Sequence, residues 1–216
     1  MRTSQQLRNE MVKRQIENRG VRDGRVLQTF RNMPRDEFVP EDAKAWAYDD
    51  CPIPIGYNQT ISQPYIVAFM AEALELSSDE RILEIGTGSG YNAAVLSKLC
   101  REVYTIEIIP ELAKRAEEAI EKQDIKNAFV RQGDGSLGWP EEAPFDAIIL
   151  TAAPPKEIPI PLVIQLKQGG RLIAPVGEET QELALYIKQG ISLVPYHLMP
   201  VRFVPMIGKI AKQATL

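Results

Sequence analysis

The sequence predicts a doubly wound α/β fold with a mostly parallel sheet, an N-terminal helical cap and an antiparallel C-terminal edge. In the middle of the chain, short apolar runs alternate with stretches of helical periodicity, as in the strands and helices of βαβ units. One of these runs ends in the glycine-rich turn 86–90, which leads directly into a helix. Near the C-terminus two apolar runs follow each other with no helix between them, which favours antiparallel pairing.

The composition restricts the possible classes of function. The 216 residues carry a net charge of −4 and a pI near 5.3, which disfavours a dedicated nucleic-acid-binding protein. The two cysteines form no C-x-x-C pair, and His197 is the single histidine. We therefore expect no disulfide framework and no metal site.

The length fits one domain over residues 1–216, with a helical cap and extended arm over 1–55 and an α/β core over 56–216. The N-terminus has no apolar core of signal-peptide length, and no run approaches the length that spans a membrane. We therefore expect a cytoplasmic protein that has neither a membrane nor a nucleic acid as its partner. We also expect a monomer.

Helical periodicity and capping residues predict the N-terminal cap. Ser4 can cap a first helix that ends at Gly20. Asp23 can cap a second helix, which must stop at Pro34. A short third turn follows over residues 40–48. The first quarter of the chain is thus expected to be helical and to pack on the main domain.

An extended arm and a loop follow the cap. Residues 51–56 must be extended, because each proline there disfavours helix in the residue before it. The loop 56–64 leads into a helix, and Pro64 suits the first helical position. Ser62 therefore lies at or next to the helix N-cap. Its position alone favours a plain cap. The alternative is a hydroxyl presented, with free N–H groups at a positive helix end, to an anion such as a carboxylate.

The glycine turn has the features of a cofactor-binding loop. It follows the apolar run 81–85, and glycines without a Cβ let backbone N–H groups approach a ligand. The spacing is G-x-G-x-G, with Tyr91 where a dinucleotide fingerprint needs its third glycine, and Glu84 two residues before the first glycine. This combination resembles the cofactor loop of S-adenosylmethionine-dependent methyltransferases more than a dinucleotide fold. The alternative is a tight strand–helix turn without a ligand.

The second core strand ends in an acidic residue. Residues 103–107 read as this strand, and Pro110 then opens a long helix to Gln123. Glu107 lies about 20 positions after Gly86, where a doubly wound fold places a carboxylate that accepts hydrogen bonds from ribose hydroxyls. We favour ribose binding over the alternative, a solvated glutamate at a strand end.

Asp134 follows the third core strand, 128–131, and is flanked by Gly133 and Gly135. An aspartate between glycines is most often a turn residue. At the carboxyl end of a sheet strand it could instead accept a hydrogen bond from an adenine amino group. Both interpretations stay open from the residues alone.

The rest of the chain completes the sheet. A fourth strand, a helix and a fifth strand are expected over 145–150, 161–166 and 171–176. Residues 151–155 follow the fourth strand, which is a natural place for an active-site rim. Two further strands, near 183–188 and 193–205, form the expected antiparallel edge.

Six stretches, spread over nearly the whole chain, match one family. They are Gly56-Tyr-Asn-Gln-Thr-Ile-Ser-Gln-Pro-Tyr-Ile-Val-Ala68, Ile82-Leu-Glu-Ile-Gly-Thr-Gly-Ser-Gly-Tyr-Asn-Ala-Ala94, Val103-Tyr-Thr-Ile-Glu107, Gly133-Asp-Gly135, Leu166-Lys-Gln-Gly-Gly-Arg-Leu172 and Phe203-Val-Pro-Met-Ile-Gly208. Together they resemble protein-L-isoaspartate O-methyltransferases. The glycine loop is shared with many relatives, whereas Thr60-Ile-Ser-Gln-Pro64 is the specific part.

The resemblance implies a Rossmann-like, S-adenosylmethionine-dependent methyltransferase that acts in protein repair. Its members transfer a methyl group to the free α-carboxylate of L-isoaspartyl residues in damaged proteins and peptides, leaving S-adenosyl-L-homocysteine. The methyl ester then collapses to a succinimide, whose hydrolysis restores part of the normal aspartyl linkage.

The resemblance also implies roles for individual residues. Ser62 is implied to be catalytic. Cofactor binding is implied for Glu84, Gly86, Thr87, Gly88, Gly90, Glu107, Asp134 and Gly135. Substrate binding is implied for Thr60, Ile61, Ser62 and Val204. Some members carry a histidine a few residues after the loop serine, but this chain has Tyr65-Ile-Val67 there, so no histidine role is expected.

The residue types suit this chemistry. An α-carboxylate with a pKa near 3.5 is already ionised at neutral pH, so the reaction needs no general base. Because the sulfonium is an activated leaving group, the enzyme has mainly to align the oxygen, the methyl carbon and the sulfur and to exclude water.

Three alternatives differ from this interpretation. A methyltransferase of the same fold could act on RNA or on a small molecule, but the acidic pI and the segment Thr60–Pro64 disfavour it. A non-catalytic protein could bind isoaspartyl residues and mark them for another partner. The glycine spacing disfavours a nicotinamide oxidoreductase most strongly.

Overall fold

The computed structural model describes residues 2–209 and contains a seven-stranded sheet and a small two-stranded sheet. In chain order the strands are β1 (Ile53–Gly56), β2 (Gln59–Ile61), β3 (Arg81–Ile85), β4 (Glu102–Glu107), β5 (Ala128–Gln132), β6 (Phe145–Leu150), β7 (Leu166–Val176), β8 (Gln181–Gln189) and β9 (Ser192–Val201). The α-helices are α1 (Ser4–Met11), α2 (Gly24–Asn32), α3 (Pro64–Ala73), α4 (Tyr91–Leu96), α5 (Pro110–Lys122) and α6 (Ile160–Gln165).

The large sheet has the strand order β5-β4-β3-β6-β7-β8-β9. The first five of these strands are parallel, while β8 pairs antiparallel with both β7 and β9. The predicted mostly parallel sheet and its antiparallel C-terminal edge are therefore confirmed. The strand order reverses at β3, which has β4 on one side and β6 on the other. In open α/β sheets, ligands bind outside the carboxyl ends of the strands at such a switch point.

The N-terminal helices are present, with one correction. Thr3, and not Ser4, is the N-cap of α1, because its side chain accepts a hydrogen bond from the backbone N–H of Gln6. Both residues carry a hydroxyl, so the sequence pattern alone could not separate them. Helical structure continues beyond α1 through a π-helical and a 3₁₀ turn to Gly20, whose φ is +108°. Asp23 caps α2 as predicted.

The extended arm pairs with the loop that follows it. β1 and β2 form an antiparallel hairpin, in which Gly56 pairs with Gln59 across a two-residue turn. Tyr57 and Asn58 in this turn have φ values of +54° and +57°. Two central residues with positive φ are typical of a type I′ turn, whose twist matches that of the flanking strands. The sequence analysis predicted the extended arm but not its pairing.

Two strands differ in length from the expectation. β7 begins at Leu166, before Gly169-Gly170, and its register against β6 is irregular in this region. The chain therefore enters the sheet directly from α6, whereas we expected the fifth strand to begin only at Arg171. β9 ends at Val201, and the residues after it cross the end of the sheet as an irregular segment.

Buried apolar residues form two clusters. The larger one contains Phe30 of the cap, Met70 of α3 and Ile82 of the sheet. The cap thus packs on the α/β core through a continuous buried layer. Across residues 2–209, none of the helices combines the length and the apolar character needed to cross a membrane.

Candidate functional site

A cleft lies at the carboxyl ends of β3, β4 and β6, where the strand order reverses. Its walls come from five parts of the chain: β2 and the loop after it, the glycine turn, the end of β4, the end of β6, and the segment after β9. The lining residues that carry the argument below are Thr60, Ile61, Ser62, Gly86, Thr87, Gly88, Glu107, Gly135, Thr151, Phe203 and Val204.

The glycine turn is held close to the end of β6. Gly86 has a φ of +96°, and a Cβ there would lie 2.4 Å from Thr151 Oγ1. The Thr151 hydroxyl donates to the carbonyl of Gly86 at 2.5 Å, and its backbone N–H donates to the carbonyl of Ile85 at 2.9 Å. Only glycine combines this backbone conformation with so close an approach. The turn therefore presents bare backbone to the cleft.

Glu107 is oriented by two backbone donors. The N–H of Gly88 donates to Oε2 at 2.8 Å, and the N–H of Ile109 donates to Oε1 at 3.0 Å. The side chain lines the cleft although the residue is only 5% exposed. Each carboxylate oxygen can accept more than one hydrogen bond, so Glu107 keeps acceptor capacity toward the cleft. This arrangement could receive the two hydroxyls of a ribose.

Glu84 lies behind the glycine turn and not in the cleft wall. It is fully buried, and its two oxygens accept hydrogen bonds from Asn92 Nδ2 at 2.7 Å and Thr105 Oγ1 at 2.6 Å. Thr105 Oγ1 in turn lies 2.6 Å from Thr87 Oγ1, which lines the cleft. Burial raises the pKa of Glu84 to about 7, the two hydrogen bonds oppose this rise, and the charge of Glu107 adds to it.

Gly90 and Asp134 also lie outside the cleft lining. Gly90 has a φ of +83° at the start of α4, and a Cβ there would meet Ala116 of α5 at 3.2 Å. Asp134 caps a 3₁₀ turn by accepting hydrogen bonds from Ser136, and it also accepts one from the backbone N–H of Lys209. Burial opposes ionisation, yet these hydrogen bonds lower the pKa of Asp134. Gly135, beside it, does line the cleft.

Ser62 is not the cap of α3, which corrects the simpler interpretation of its position. The N-cap residue is Gln63, which makes no side-chain capping bond, and Pro64 occupies the first turn. Within residues 2–209, no hydrogen bond involves Ser62 Oγ, while the Ser62 carbonyl accepts one from Arg35 Nη2 at 2.7 Å. The half-buried side chain lines the cleft, so its hydroxyl is available to a ligand.

The segment after β9 also lines the cleft. The backbone N–H of Ala153 donates to the carbonyl of Val204 at 2.9 Å, and the N–H of Met206 donates to the carbonyl of Ala153 at 2.7 Å. These bonds hold Phe203 and Val204 at the end of β6, and both residues line the cleft together with Ser62.

A second groove, with a volume of about 1080 Å³, adjoins the cleft. The two share Thr60, Ser62 and Val204 in their linings. The groove also carries side chains of both charges, Arg19, Arg202, Glu178 and Glu179. Its place beside Ser62 would allow a larger molecule to lie along the surface with one group inside the cleft.

The structure brings most of the predicted site residues together. Nine line the cleft, namely Thr60, Ile61, Ser62, Gly86, Thr87, Gly88, Glu107, Gly135 and Val204, and three do not, namely Glu84, Gly90 and Asp134. Thr151 also lines the cleft, and it belongs to the segment 151–155 that the sequence indicated as an active-site rim. The sequence analysis named no role for Asn92 or Phe203, which line the cleft as well. Nothing in the sequence marked Phe203 beyond its family-like segment.

The residues present fit an S-adenosylmethionine-type ligand. The turn offers bare backbone at Gly86 and Gly88, and Glu107 offers an oriented carboxylate acceptor beside them. Among residues 2–209 there is no group of three or more His, Cys, Asp or Glu side chains that could hold a metal ion.

Comparisons with known proteins agree with this geometry. A family model described as protein-L-isoaspartate(D-aspartate) O-methyltransferase matches residues 5–211. A protein-L-isoaspartate O-methyltransferase from Myxococcus xanthus is 54% identical over 200 residues, which cover 90% of this chain and 93% of that protein.

Two solved structures have the same fold. One, a protein-L-isoaspartate O-methyltransferase, superposes with a TM-score of 0.86 at 30% identity and covers 94% of this chain and 67% of its own. The other, from Plasmodium falciparum, is described as such an enzyme in complex with S-adenosyl-L-homocysteine. It superposes with a TM-score of 0.81 at 26% identity, and the match covers 93% of this chain and 98% of that chain. This chain belongs to the protein-L-isoaspartate(D-aspartate) O-methyltransferase family.

Proposed function

We propose that this protein transfers the methyl group of S-adenosylmethionine to the α-carboxylate of L-isoaspartyl residues in damaged proteins and peptides. One observation carries the proposal: Thr60, Ile61 and Ser62 of the family-specific segment line the same cleft as the glycine turn and Glu107. The methyl ester then closes to a succinimide, whose hydrolysis restores part of the aspartyl linkage.

The glycine turn and Glu107 are proposed to hold the cofactor, which supplies an activated methyl group on a sulfonium. Glu107 accepts hydrogen bonds from the ribose hydroxyls, with its carboxylate held by Gly88 and Ile109. Gly86, Thr87 and Gly88 face the cleft directly.

The remaining predicted cofactor residues act at different distances from the cleft. Gly135 lines the part of the cleft proposed for the adenine, and Asp134 shapes the turn beside it. Glu84 acts through Thr105 and Asn92, and Gly90 lets α4 start close to α5.

Thr60, Ile61, Ser62 and Val204 are proposed to bind the substrate. The substrate polypeptide around the isoaspartyl residue lies in the adjoining groove. The α-carboxylate of the isoaspartyl residue reaches past Ser62 into the cleft. The Ser62 hydroxyl, which makes no hydrogen bond within residues 2–209, donates to this carboxylate and orients it. Because the carboxylate is already ionised at neutral pH, alignment and exclusion of water are the main tasks of the site.

We further propose that residues 1–216 act as a single domain and that the protein is a cytoplasmic monomer that binds no nucleic acid. The buried cluster shared by the cap and the sheet supports the single domain. The net charge of −4 supports the absence of a nucleic-acid partner.

The deciding experiment uses two peptides that differ only in one L-isoaspartyl or L-aspartyl linkage. The protein is incubated with labelled S-adenosylmethionine, and the alkali-labile methyl ester is measured. We expect strong labelling of the isoaspartyl peptide and very little of the aspartyl one. Equal labelling would leave a methyltransferase without this specificity, and binding of the isoaspartyl peptide without labelling would indicate the non-catalytic alternative.

A further inference from the structure

Arg35 is a fully buried arginine with an unusual environment. It follows Pro34 in a 3₁₀ turn of the cap, and its side chain has no exposed surface. Nε donates to the carbonyl of Ala47 at 2.9 Å, and Nη2 donates to the carbonyl of Ser62 at 2.7 Å. Nη1 is buried and has no hydrogen-bond partner within residues 2–209. The guanidinium carbon lies 5.0 Å from the centre of the Tyr91 ring.

The charge of Arg35 is not balanced by a nearby carboxylate in the described part of the chain. Burial lowers the pKa of Arg35 to about 10, and the side chains of Tyr91, Cys51 and Tyr48 oppose this shift. The guanidinium therefore stays charged at neutral pH. A buried charge without an ionic partner is costly, and even buried ion pairs can often be replaced by apolar residues of similar volume without loss of stability. Stability alone therefore does not explain why an arginine lies here.

The contacts of Arg35 reach two walls of the cleft. Ser62 lies in the wall that precedes α3, and Tyr91 is the first residue of α4 directly after the glycine turn. Both residues line the cleft. One rigid, planar group thus touches both the segment assigned to the substrate and the helix that follows the cofactor turn.

Building on the proposed function, we propose that Arg35 is a positioning residue for methyl transfer. Its hydrogen bond fixes the Ser62 carbonyl. Its contact with the Tyr91 ring fixes the guanidinium against the start of α4. The distance between the two cleft walls is thereby set, and with it the distance between the substrate oxygen and the methyl carbon. A misplacement of about 1 Å can lower a rate by about a hundredfold.

Arg8 provides a matched control. It is also a buried arginine of the cap, 8% exposed, and its Nε donates to the carbonyl of Arg31 at 2.8 Å. It lines neither the cleft nor the adjoining groove. A purely structural contribution of a buried arginine should therefore be seen equally in both positions.

The test compares Arg35→Lys and Arg35→Met with Arg8→Lys and Arg8→Met. For each variant we would measure the melting temperature, the Kd for S-adenosyl-L-homocysteine by calorimetry, and kcat and KM with the isoaspartyl peptide. The kinetic assays are run well below the melting temperature of the variant. Arg35→Met should lose kcat by about ten- to a hundredfold while its Kd changes less than threefold. Arg35→Lys, which keeps one donor and the charge, should recover part of the loss. The Arg8 variants should keep the wild-type kcat even where their melting temperatures fall.

Three results would overturn the proposal. They are wild-type kcat and KM in both Arg35 variants, an equal loss of kcat in the Arg8 variants, or a failure of both Arg35 variants to fold. A wild-type protein that leaves the isoaspartyl peptide unmethylated would instead remove the proposed function on which this inference rests.

Discussion

The backbone N–H of Gly88 donates a 2.8 Å hydrogen bond to Glu107 Oε2. The second glycine of the turn and the carboxylate at the end of β4 therefore hold each other in place before any ligand is bound. A preorganised acceptor loses little freedom when it binds a ligand, which favours affinity.

Replacing Glu107 should weaken cofactor binding. Hydrogen bonds to a charged group contribute about 1.5–3 kcal/mol, so Glu107→Ala should raise the Kd for S-adenosylmethionine at least about tenfold. Titration calorimetry measures this. Glu111→Ala, at an exposed glutamate in the first turn of α5, is the control and should leave the Kd unchanged. An unchanged Kd in Glu107→Ala would return Glu107 to a structural role in holding Gly88.

The Ser62 hydroxyl should be needed for turnover and not for stability. Because Ser62 does not cap α3, the free energies of unfolding of Ser62→Ala and Ser62→Gly should lie within about 0.5 kcal/mol of the wild-type value. The loss of one hydrogen bond to the substrate carboxylate in the transition state should lower kcat about ten- to a hundredfold. Ser62→Thr, which restores a hydroxyl, should recover part of this activity. Wild-type turnover in Ser62→Ala would rule out a catalytic role for the hydroxyl.

Glu84 should make the stability of the protein depend on pH. Its pKa is raised from 4.5 to about 7 in the folded state, so the folded protein binds the proton more tightly than the unfolded chain. This contribution to stability is complete below about pH 4.5 and is lost as the pH rises through about 7, with a total near 3 kcal/mol.

Glu84→Gln should remove this dependence, because an amide can accept from Asn92 and donate to Thr105 without a charge. Urea unfolding of both proteins at pH 5 and pH 8 tests this. We expect the variant to gain stability relative to the wild type at the higher pH. The same pH profile for both proteins would mean that Glu84 stays ionised throughout and that its hydrogen bonds hold the charge.

Gly135 should tolerate no side chain. A Cβ there would lie 2.4 Å from Ile85 Cγ2, on a β-branched side chain that is buried in the sheet. Gly135→Ala should therefore cost about 1–3 kcal/mol. Gly24→Ala is the control: its Cβ would meet nothing within 4 Å, and it lies in the first turn of α2. Thermal unfolding that shifts equally in both variants would contradict the predicted overlap.

The sequence predicted the sheet well because its signals are local. The core strands are mostly short apolar runs, and a glycine directly follows β3, β5 and β7. The hairpin of β1 and β2 was missed for the same reason. Prolines dominate the arm, and the turn is Tyr57-Asn58 where Asn-Gly is the usual signal.

The site was predictable where one segment holds the residues and not where distant segments meet. The glycine turn and Glu107 could be related by their spacing alone. The bond from Ser136 to Asp134 is local, but the bond from the Lys209 N–H depends on the segment after β9, which no local pattern places there. The neighbourhood of Arg35 and Ser62 likewise arises only when the cap packs on the core.

The contact of Val204 and Met206 with Ala153 also has a consequence for synthesis on the ribosome. Chains are made from the N-terminus, so the glycine turn, β4 and β6 emerge well before the segment after β9. The nascent protein can form most of the cleft early, but the lining after β9 exists only after the last hairpin of the sheet has been made. A shortened chain that stops before Val204 would thus keep the turn and Glu107, yet lack the lining that Val204 and the next three residues supply.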